Sequence, residues 1–127
     1  MHILMCNDDG ILADGLRHLA SYLSQYYRIT VVAPANEQSA KSHALTTEIP
    51  LKLDAYNGED ENPRLYALTG TPSDCMKFGL SYLLTDDMPD LVISGINHGF
   101  NLGSDVLYSG TVSAAMESCF MVHIRKK

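Results

Sequence analysis

Residues 2–11 read HILMCNDDGI, a mostly apolar run that ends in two adjacent carboxylates, Asp8 and Asp9. A short apolar run bounded by turn-forming residues predicts a buried strand, here His2–Cys6. Two carboxylates at the end of such a strand are unfavourable, because like charges repel and any burial penalises the charged form. The pair therefore either caps and solvates the end of the strand or binds a cation.

The composition is typical of one globular domain. A chain of 127 residues with 46% apolar and 19% charged residues is long enough to bury a core and too apolar to stay disordered. The net charge of −6 argues against a nucleic-acid surface, no apolar run could span a membrane, and no signal peptide opens the chain. The 3 cysteines lie in apolar stretches, which indicates reduced, packed thiols, so we expect a cytoplasmic protein.

The periodicity that follows predicts alternating helices and strands. Apolar residues at helical spacing place a helix at about 15–26, and RITVVAP, Arg28–Pro34, is a second buried strand. Alternation of Ile49, Leu51 and Leu53 predicts a strand in IPLKLDAY, against which RLYALTG pairs back across an acidic turn.

The second half of the chain continues this alternation. TPSDCMKFGLSYLL, residues 71–84, predicts a helix, PDLVISG a buried strand, and TVSAAMESCFMV a last helix. The inward face of that last helix is predicted to carry Val112, Ala115, Met116 and Cys119. The order predicts an α/β fold: a Rossmann-like three-layer sandwich with a mainly parallel sheet and a small β-hairpin.

Three loops leave the carboxyl ends of the predicted parallel strands, and in such sheets ligands bind outside those ends. We expect this edge to gather hard oxygen donors from all three loops: Asp8, Asp9, Ser39, and Asn97 or Asn101. Oxygen donors without sulfur or imidazole suit Mg²⁺, Mn²⁺ or Ca²⁺ rather than structural zinc. A cation would also relieve the repulsion within the carboxylate pair.

Ser109-Gly110-Thr111 precedes the last predicted helix. The first backbone N–H groups of a helix have no partner inside it, so this sequence is either a phosphate-type anion site or an ordinary N-cap. A cation beside an anion pocket is the arrangement that phosphoryl chemistry needs.

Five motifs follow one another along the chain: NDDGI, VVAP with EQS behind it, GTPSDC, PDLVISGIN with NLG, and YSGTV with AAME. In this order, over roughly residues 1–117, they resemble the motifs of the SurE (survival protein E) family of nucleotidases. The resemblance implies a Rossmann-like core and a metal-dependent phosphomonoesterase that hydrolyses nucleoside monophosphates to nucleoside and phosphate. No nucleic-acid polymer and no membrane is expected as partner, on the grounds of net charge and apolar-run length given above.

The resemblance also implies roles for particular positions. One divalent metal ion per subunit, Mg²⁺ or Mn²⁺, would be bound by Asp8, Asp9, Ser39 and Asn97. Phosphate would be bound by Asn97, Ser109, Gly110 and Thr111. The residues themselves leave open whether the metal or a carboxylate activates the attacking water, and whether Asp8 or Asp9 is the general base or a nucleophile. His98 lies in the loop after the strand PDLVISG and is either a possible acid for the leaving oxygen or a surface histidine without a role.

After AAME the chain departs from the family pattern. Residues 118–127 read SCFMVHIRKK, where the family continues with another strand and a long second half. We therefore expect a single α/β nucleotidase core over residues 1–127 with a divergent tail at 118–127 and the C-terminal half missing. That half carries the arms with which family members form dimers and tetramers.

Two alternatives to an active nucleotidase remain open from the sequence. Phospho-receiver domains have a similar length and an acidic pair after the first strand, and Asp54 in LKLDAY would be the phospho-acceptor. Against this reading, Ser109-Gly110-Thr111 has no role in a receiver. The other alternative is a fragment that keeps the fold but is a poor catalyst.

Overall fold

Strand β1 is fully buried inside a five-stranded sheet. The computed structural model describes residues 1–38 and 44–125, with side chains to residue 121. Its strands are β1 (His2–Cys6), β2 (Arg28–Pro34), β3 (Leu53–Ala55), β4 (Arg64–Leu68) and β5 (Leu91–Ser94). They are ordered β3-β4-β2-β1-β5, and only β3 runs antiparallel, paired with β4. The predicted mainly parallel sheet and its β-hairpin are confirmed.

Helices cover both faces of the sheet. They are α1 (Asp14–Leu23), α2 (Pro72–Phe78) and α3 (Gly110–Arg125). On one face Leu16 and Ala20 of α1 pack into a core with Ile3 and Met5. On the other face lies a second core: Leu4, Cys6, Val32, Cys75, Met76, Leu80 and Ala114. Successive side chains of β1 are buried on opposite faces of the sheet, and this accounts for the three-layer arrangement that the sequence predicts.

Several element boundaries differ from the prediction. Helix α1 ends at Leu23 instead of near residue 26, and the strand predicted around 49–56 is reduced to Leu53–Ala55. Pro50 has no N–H to donate to a ladder, and Ile49 is exposed, so the apolar alternation there does not form a strand. The predicted helix 71–84 continues beyond α2 as a π-helical turn over Gly79–Leu83.

The prediction for the inward face of α3 is wrong. Ala115, Met116 and Cys119 are exposed, whereas the buried side chains of this helix are polar or small: Ser113, Ala114, Glu117 and Ser118. The helix is rotated in this way because its first turn is held at both sides. The Ser94 hydroxyl donates to the Thr111 carbonyl oxygen at 2.6 Å, and Gly110 lies directly against Asp8.

The cysteines also divide by position. Cys6 and Cys75 are fully buried, and burial, with Cys6 nearby, raises the pKa of the Cys75 thiol well above its ordinary value. Both are free thiols packed as small hydrophobic side chains, as predicted. Cys119 is exposed, contrary to that expectation. Within the described ranges, no helix has the length and apolar character needed to cross a bilayer.

His2 joins the strands at the opposite, amino-terminal edge of the sheet. Its side chain is only 2% exposed; Nε2 lies 2.9 Å from the Thr30 hydroxyl, and Nδ1 lies 3.2 Å from the Asp87 carbonyl oxygen. Burial and the charges of Arg28 and Arg64 lower the pKa of His2, outweighing the attraction of Asp87. His2 is therefore a structural residue of the sheet.

Candidate active site at the carboxyl edge of the sheet

A tight turn places the carboxylate pair at the end of β1. The Asn7 side-chain oxygen accepts a hydrogen bond from the Gly10 N–H at 3.1 Å, and Gly10 has a φ of +102°, which L side chains rarely adopt. The chain then returns to the sheet, because the Ile11 N–H donates to the Pro34 carbonyl oxygen at 2.8 Å. Asp8 is thereby fixed at 5% exposure and Asp9 is half-buried.

Asp8 lies directly against the first turn of α3. A Cβ added at Gly110 would lie 2.6 Å from Asp8 Cβ, 3.0 Å from Asp8 Oδ2 and 3.1 Å from Pro72 Cγ. No other residue type fits there without displacing one of these neighbours. The glycine of the Ser-Gly-Thr motif is thus required for the carboxylate to reach the helix N-terminus.

The two hydroxyls of the motif have different partners. The Ser109 oxygen accepts from the Val112 N–H at 3.2 Å, which is the ordinary N-cap given above as one alternative for this motif. The Thr111 hydroxyl donates to Asp8 Oδ1 at 2.6 Å. The resemblance implies phosphate binding at Thr111, and in this structure the Thr111 hydroxyl orients Asp8, a carboxylate of the acidic pair.

The loop after β5 closes the other side of the pair. The His98 N–H donates to Asp9 Oδ2 at 3.0 Å, and the Asn97 amide donates to the Gly99 carbonyl oxygen at 2.9 Å. Partial burial raises the pKa of Asp9, and the nearby negative charges of Asp8 and Glu37 add to this effect and outweigh the His98 hydrogen bond. The ionised form of Asp9 is therefore disfavoured beside its neighbouring carboxylates.

These groups line one open cleft of about 420 Å³. Its lining includes Asp8, Asp9, Asn97, His98, Asn101 and Ser109. Sequence reasoning missed two carboxylates in the same cleft, Glu37 and Asp105. Glu37 lies in the loop that leaves β2, two residues before Ser39. Because loops that leave parallel strands meet at one edge, this position could have predicted Glu37 as a lining residue.

Ser39 lies outside the described residues, but the chain directly before it reaches the site. The Gln38 N–H donates to the Asp8 carbonyl oxygen at 2.8 Å. Among the described residues, no three His, Cys, Asp or Glu side chains form a metal-binding cluster. A cation here would accordingly depend on amide or hydroxyl oxygens as well as on the carboxylate pair.

Asp54 does not belong to this site. It lies on β3, which β4 and β2 separate from β1, and its carboxylate is paired with Lys52 Nζ at 2.9 Å. The phospho-receiver alternative, which needs Asp54 beside the acidic pair, does not fit the structure.

Comparison with known proteins agrees with the fold and with the sequence motifs. The family model "Survival protein SurE" matches residues 3–124 and thus extends into the segment 118–127. The "5'-nucleotidase SurE" of Thermoanaerobacter sp. (strain X514) is 54% identical over 118 residues, which are 93% of this chain and 46% of that protein. The protein of the same name from Vibrio vulnificus (strain YJ016) is 51% identical over 121 residues, 95% of this chain and 46% of that protein.

A solved structure extends the comparison. The crystal structure of the SurE protein from Aquifex aeolicus superposes with a TM-score of 0.82 at 42% identity, covering 95% of this chain and 47% of that chain. The chain thus spans about half the length of the relatives that it matches. The carboxylate pair, the start of α3 and the loop after β5 lie at one edge of the sheet, as the motifs predict. Because the family model matches nearly the whole chain, the chain belongs to the SurE family.

Proposed function

We propose that this chain carries the active site of a divalent-metal-dependent nucleotidase that hydrolyses nucleoside monophosphates. One observation carries the proposal: Asp8, of the carboxylate pair at the end of β1, lies in contact with the N-terminus of α3. The relatives named 5'-nucleotidase support the choice of substrate. The reduced thiols are consistent with the cytoplasm as the place of action.

The residues fit a hard divalent cation. The raised pKa of Asp9 shows that its negative charge is unfavourable where it lies, and a bound cation would offset that charge. Asp8, Asp9 and Asn97 supply oxygen atoms of the type that Mg²⁺ and Mn²⁺ prefer, and Gln38, which precedes Ser39 in the sequence, is bonded to the Asp8 carbonyl oxygen. When bound, such an ion supplies charge stabilisation at the phosphoryl oxygens and lowers the pKa of a water molecule.

The start of α3 is the proposed phosphate-binding element. The backbone N–H groups of Gly110 and Thr111 lie in its first turn, where a helix offers donors without internal partners. The partial positive charge of the helix N-terminus favours an anion there. Ser109, which lines the cleft, retains its hydroxyl proton as a further donor, because its oxygen accepts from Val112.

Proton transfer is assigned to groups that border the cleft. Asp9 borders the cleft and is the proposed general base or nucleophile, since Asp8 is already bonded to Thr111. His98 is exposed in the same cleft and serves as the acid for the leaving oxygen.

The test is phosphate release from AMP, GMP, CMP and UMP by the 127-residue chain, with Mg²⁺, with Mn²⁺ and with EDTA. We expect release that requires the cation and that Asp8→Asn or Asp9→Asn abolishes. Asp60→Asn is the matched control, since Asp60 is an exposed carboxylate of the hairpin turn.

Turnover that persists in EDTA would disprove the metal dependence. A chain that binds Mn²⁺ in calorimetry but releases no phosphate would instead be the catalytically poor half of a nucleotidase. That result would retain the metal site and remove the activity.

A further inference from the structure

Two residues that line the candidate active site have no part in the proposed chemistry. Asp105 and Tyr108 border the same open cleft as the carboxylate pair and Ser109. Both side chains are exposed, that of Tyr108 at 62%, and neither has a hydrogen-bond partner among the described residues. A ring and a carboxylate are therefore open to a ligand that enters the cleft.

A short 3₁₀ helix, Gly103–Tyr108, sets the position of both side chains. Such a helix has three residues per turn and rises about 2.0 Å per residue, so side chains three positions apart lie one above the other, about 6 Å apart along its axis. Asp105 and Tyr108 are a pair of this kind, which explains why both border one cleft. The turn is closed by the Asp105 N–H, which donates to the Leu102 carbonyl oxygen at 3.1 Å.

Tyr108 also lies close to the proposed phosphate-binding element. It directly precedes Ser109, whose hydroxyl oxygen caps α3, so no loop separates the 3₁₀ helix from α3. Tyr108 and Gly110 are two residues apart, and their Cα atoms are therefore at most about 8 Å apart. In a nucleoside monophosphate, one ribose separates the phosphate from the base. A nucleotide whose phosphate lies at the start of α3 can therefore place its base beside Tyr108.

The charges in the cleft favour this orientation of a nucleotide over the reverse one. The start of α3 has the partial positive charge of a helix N-terminus, which attracts phosphate, whereas the carboxylate of Asp105 repels it. A base is uncharged and meets no such repulsion. Adenine, guanine and cytosine each carry an amino group that can donate to a carboxylate, and uracil has a carbonyl oxygen where cytosine has its amino group.

We propose that Tyr108 and Asp105 form the nucleobase subsite of this cleft. The ring of Tyr108 stacks on the base, and the carboxylate of Asp105 accepts a hydrogen bond from the amino group of adenine, guanine or cytosine. This rests on the proposed function, since it takes the start of α3 as the phosphate site. Removing an aromatic side chain that stacks on a base weakens binding about fivefold to a hundredfold.

The first experiment compares AMP with ribose 5-phosphate, which has the same phosphate and ribose but no base. Calorimetric affinity in Mg²⁺ and phosphate release are measured for both compounds on the 127-residue chain. We expect Tyr108→Ala to weaken AMP binding at least about fivefold and to leave ribose 5-phosphate binding unchanged. Tyr108→Phe keeps the ring and should keep both affinities. Tyr56→Ala, at an exposed tyrosine of the hairpin, is the matched control.

The second experiment tests the hydrogen bond to Asp105 with CMP and UMP. The wild-type chain should bind CMP about tenfold more tightly than UMP, because only cytosine offers an amino group to the carboxylate. Asp105→Asn should remove most of this preference, since an amide can also donate to the carbonyl oxygen of uracil. Asp60→Asn, at an exposed carboxylate of the hairpin turn, should leave the preference unchanged.

The other outcomes separate failure of the subsite from failure of the proposed function. A wild-type chain that neither binds nor cleaves either compound would overturn both. Equal losses of AMP and ribose 5-phosphate affinity in Tyr108→Ala would overturn the subsite alone, because Tyr108 would then act at the phosphate end, and an unchanged AMP affinity would do the same. A CMP preference that survives Asp105→Asn would overturn the role of Asp105. Melting temperatures, recorded for every variant, distinguish a general loss of stability from weaker binding.

Discussion

Replacing Gly110 by alanine tests the close contact between the carboxylate pair and α3. The new methyl carbon would lie 2.6 Å from Asp8 Cβ, whereas non-bonded carbon atoms are most favourable at about 3.5–4.0 Å. About 1 Å of separation must therefore be gained by movement. Asp8 and Pro72, which flank the position, are both buried, so the helix start has to move away from the sheet.

The expected loss has two parts. Overpacking of this kind costs about 1–3 kcal/mol of stability. Displacing the donors of α3 by about 1 Å lowers the rate of a positioned reaction about a hundredfold. Gly110→Ala should therefore lower phosphate release far more than it lowers the melting temperature, and it should weaken Mn²⁺ binding by shifting Asp8.

Gly58→Ala is the control for this experiment. Gly58 lies in the hairpin turn, and the nearest atom to its added Cβ is Glu61 Oε1 at 3.8 Å, an ordinary contact. We expect this variant to keep both the cation affinity and the turnover of the wild type. If Gly110→Ala behaves like Gly58→Ala in both assays, the contact between Asp8 and the helix start has no functional role.

Four further predictions concern the site and two other parts of the sheet. Thr111→Val should weaken Mn²⁺ binding about tenfold and Thr111→Ser should not, because only the serine keeps the hydroxyl bond to the carboxylate; equal affinities in calorimetry would contradict this. Asp9→Asn should abolish Mn²⁺ binding yet raise the melting temperature in metal-free buffer, since the raised pKa shows that the charge is unfavourable, and a lower melting temperature would count against it. Urea titrations should show the free energy of unfolding falling as the pH drops below 6.5, because the pKa of His2 is lower in the folded than in the unfolded chain; His2→Gln should flatten that part of the profile, and an unchanged slope would refute the assignment. Leu91, 44% exposed on the edge strand β5, should promote self-association, so Leu91→Lys should reduce light scattering and Leu12→Lys, at an exposed leucine elsewhere, should not; equal effects would point to charge alone.

The order of elements could be predicted because it depends on local patterns. The apolar run of β1, the helical spacing in α1 and the proline at the start of α2 are each visible within a few residues of sequence. The strand whose predicted length exceeds the observed one most is the segment that contains Pro50, because proline cannot donate to a ladder and its effect outweighs the alternation around it.

The candidate site could be predicted only in part, because its contacts span the chain. The topology places the carboxyl ends of the parallel strands at one edge, so the sequence could predict that Asp8, Asp9 and Asn97 lie near one another. The bond between Thr111 and Asp8 joins residues separated by 103 positions, and no local pattern reveals it. The first turn of α3 is held by contacts of this kind, to Asp8 and to Ser94, so hydrophobic periodicity gave the wrong inward face.

Because two cysteines are buried and one is exposed, the rate of thiol labelling can report how often the folded chain opens. Cys119 is exposed and should react with a thiol reagent at once, whereas Cys6 and Cys75 are fully buried and can react only when the layer around β1 and α2 opens. Where reclosing is faster than labelling, the labelling rate of these two thiols measures the free energy of that opening. Cys6 is joined directly to the turn that holds Asp8, so an ion bound there should slow its labelling. At a concentration a hundred times the dissociation constant, binding adds about 2.7 kcal/mol of protection, which slows labelling about a hundredfold.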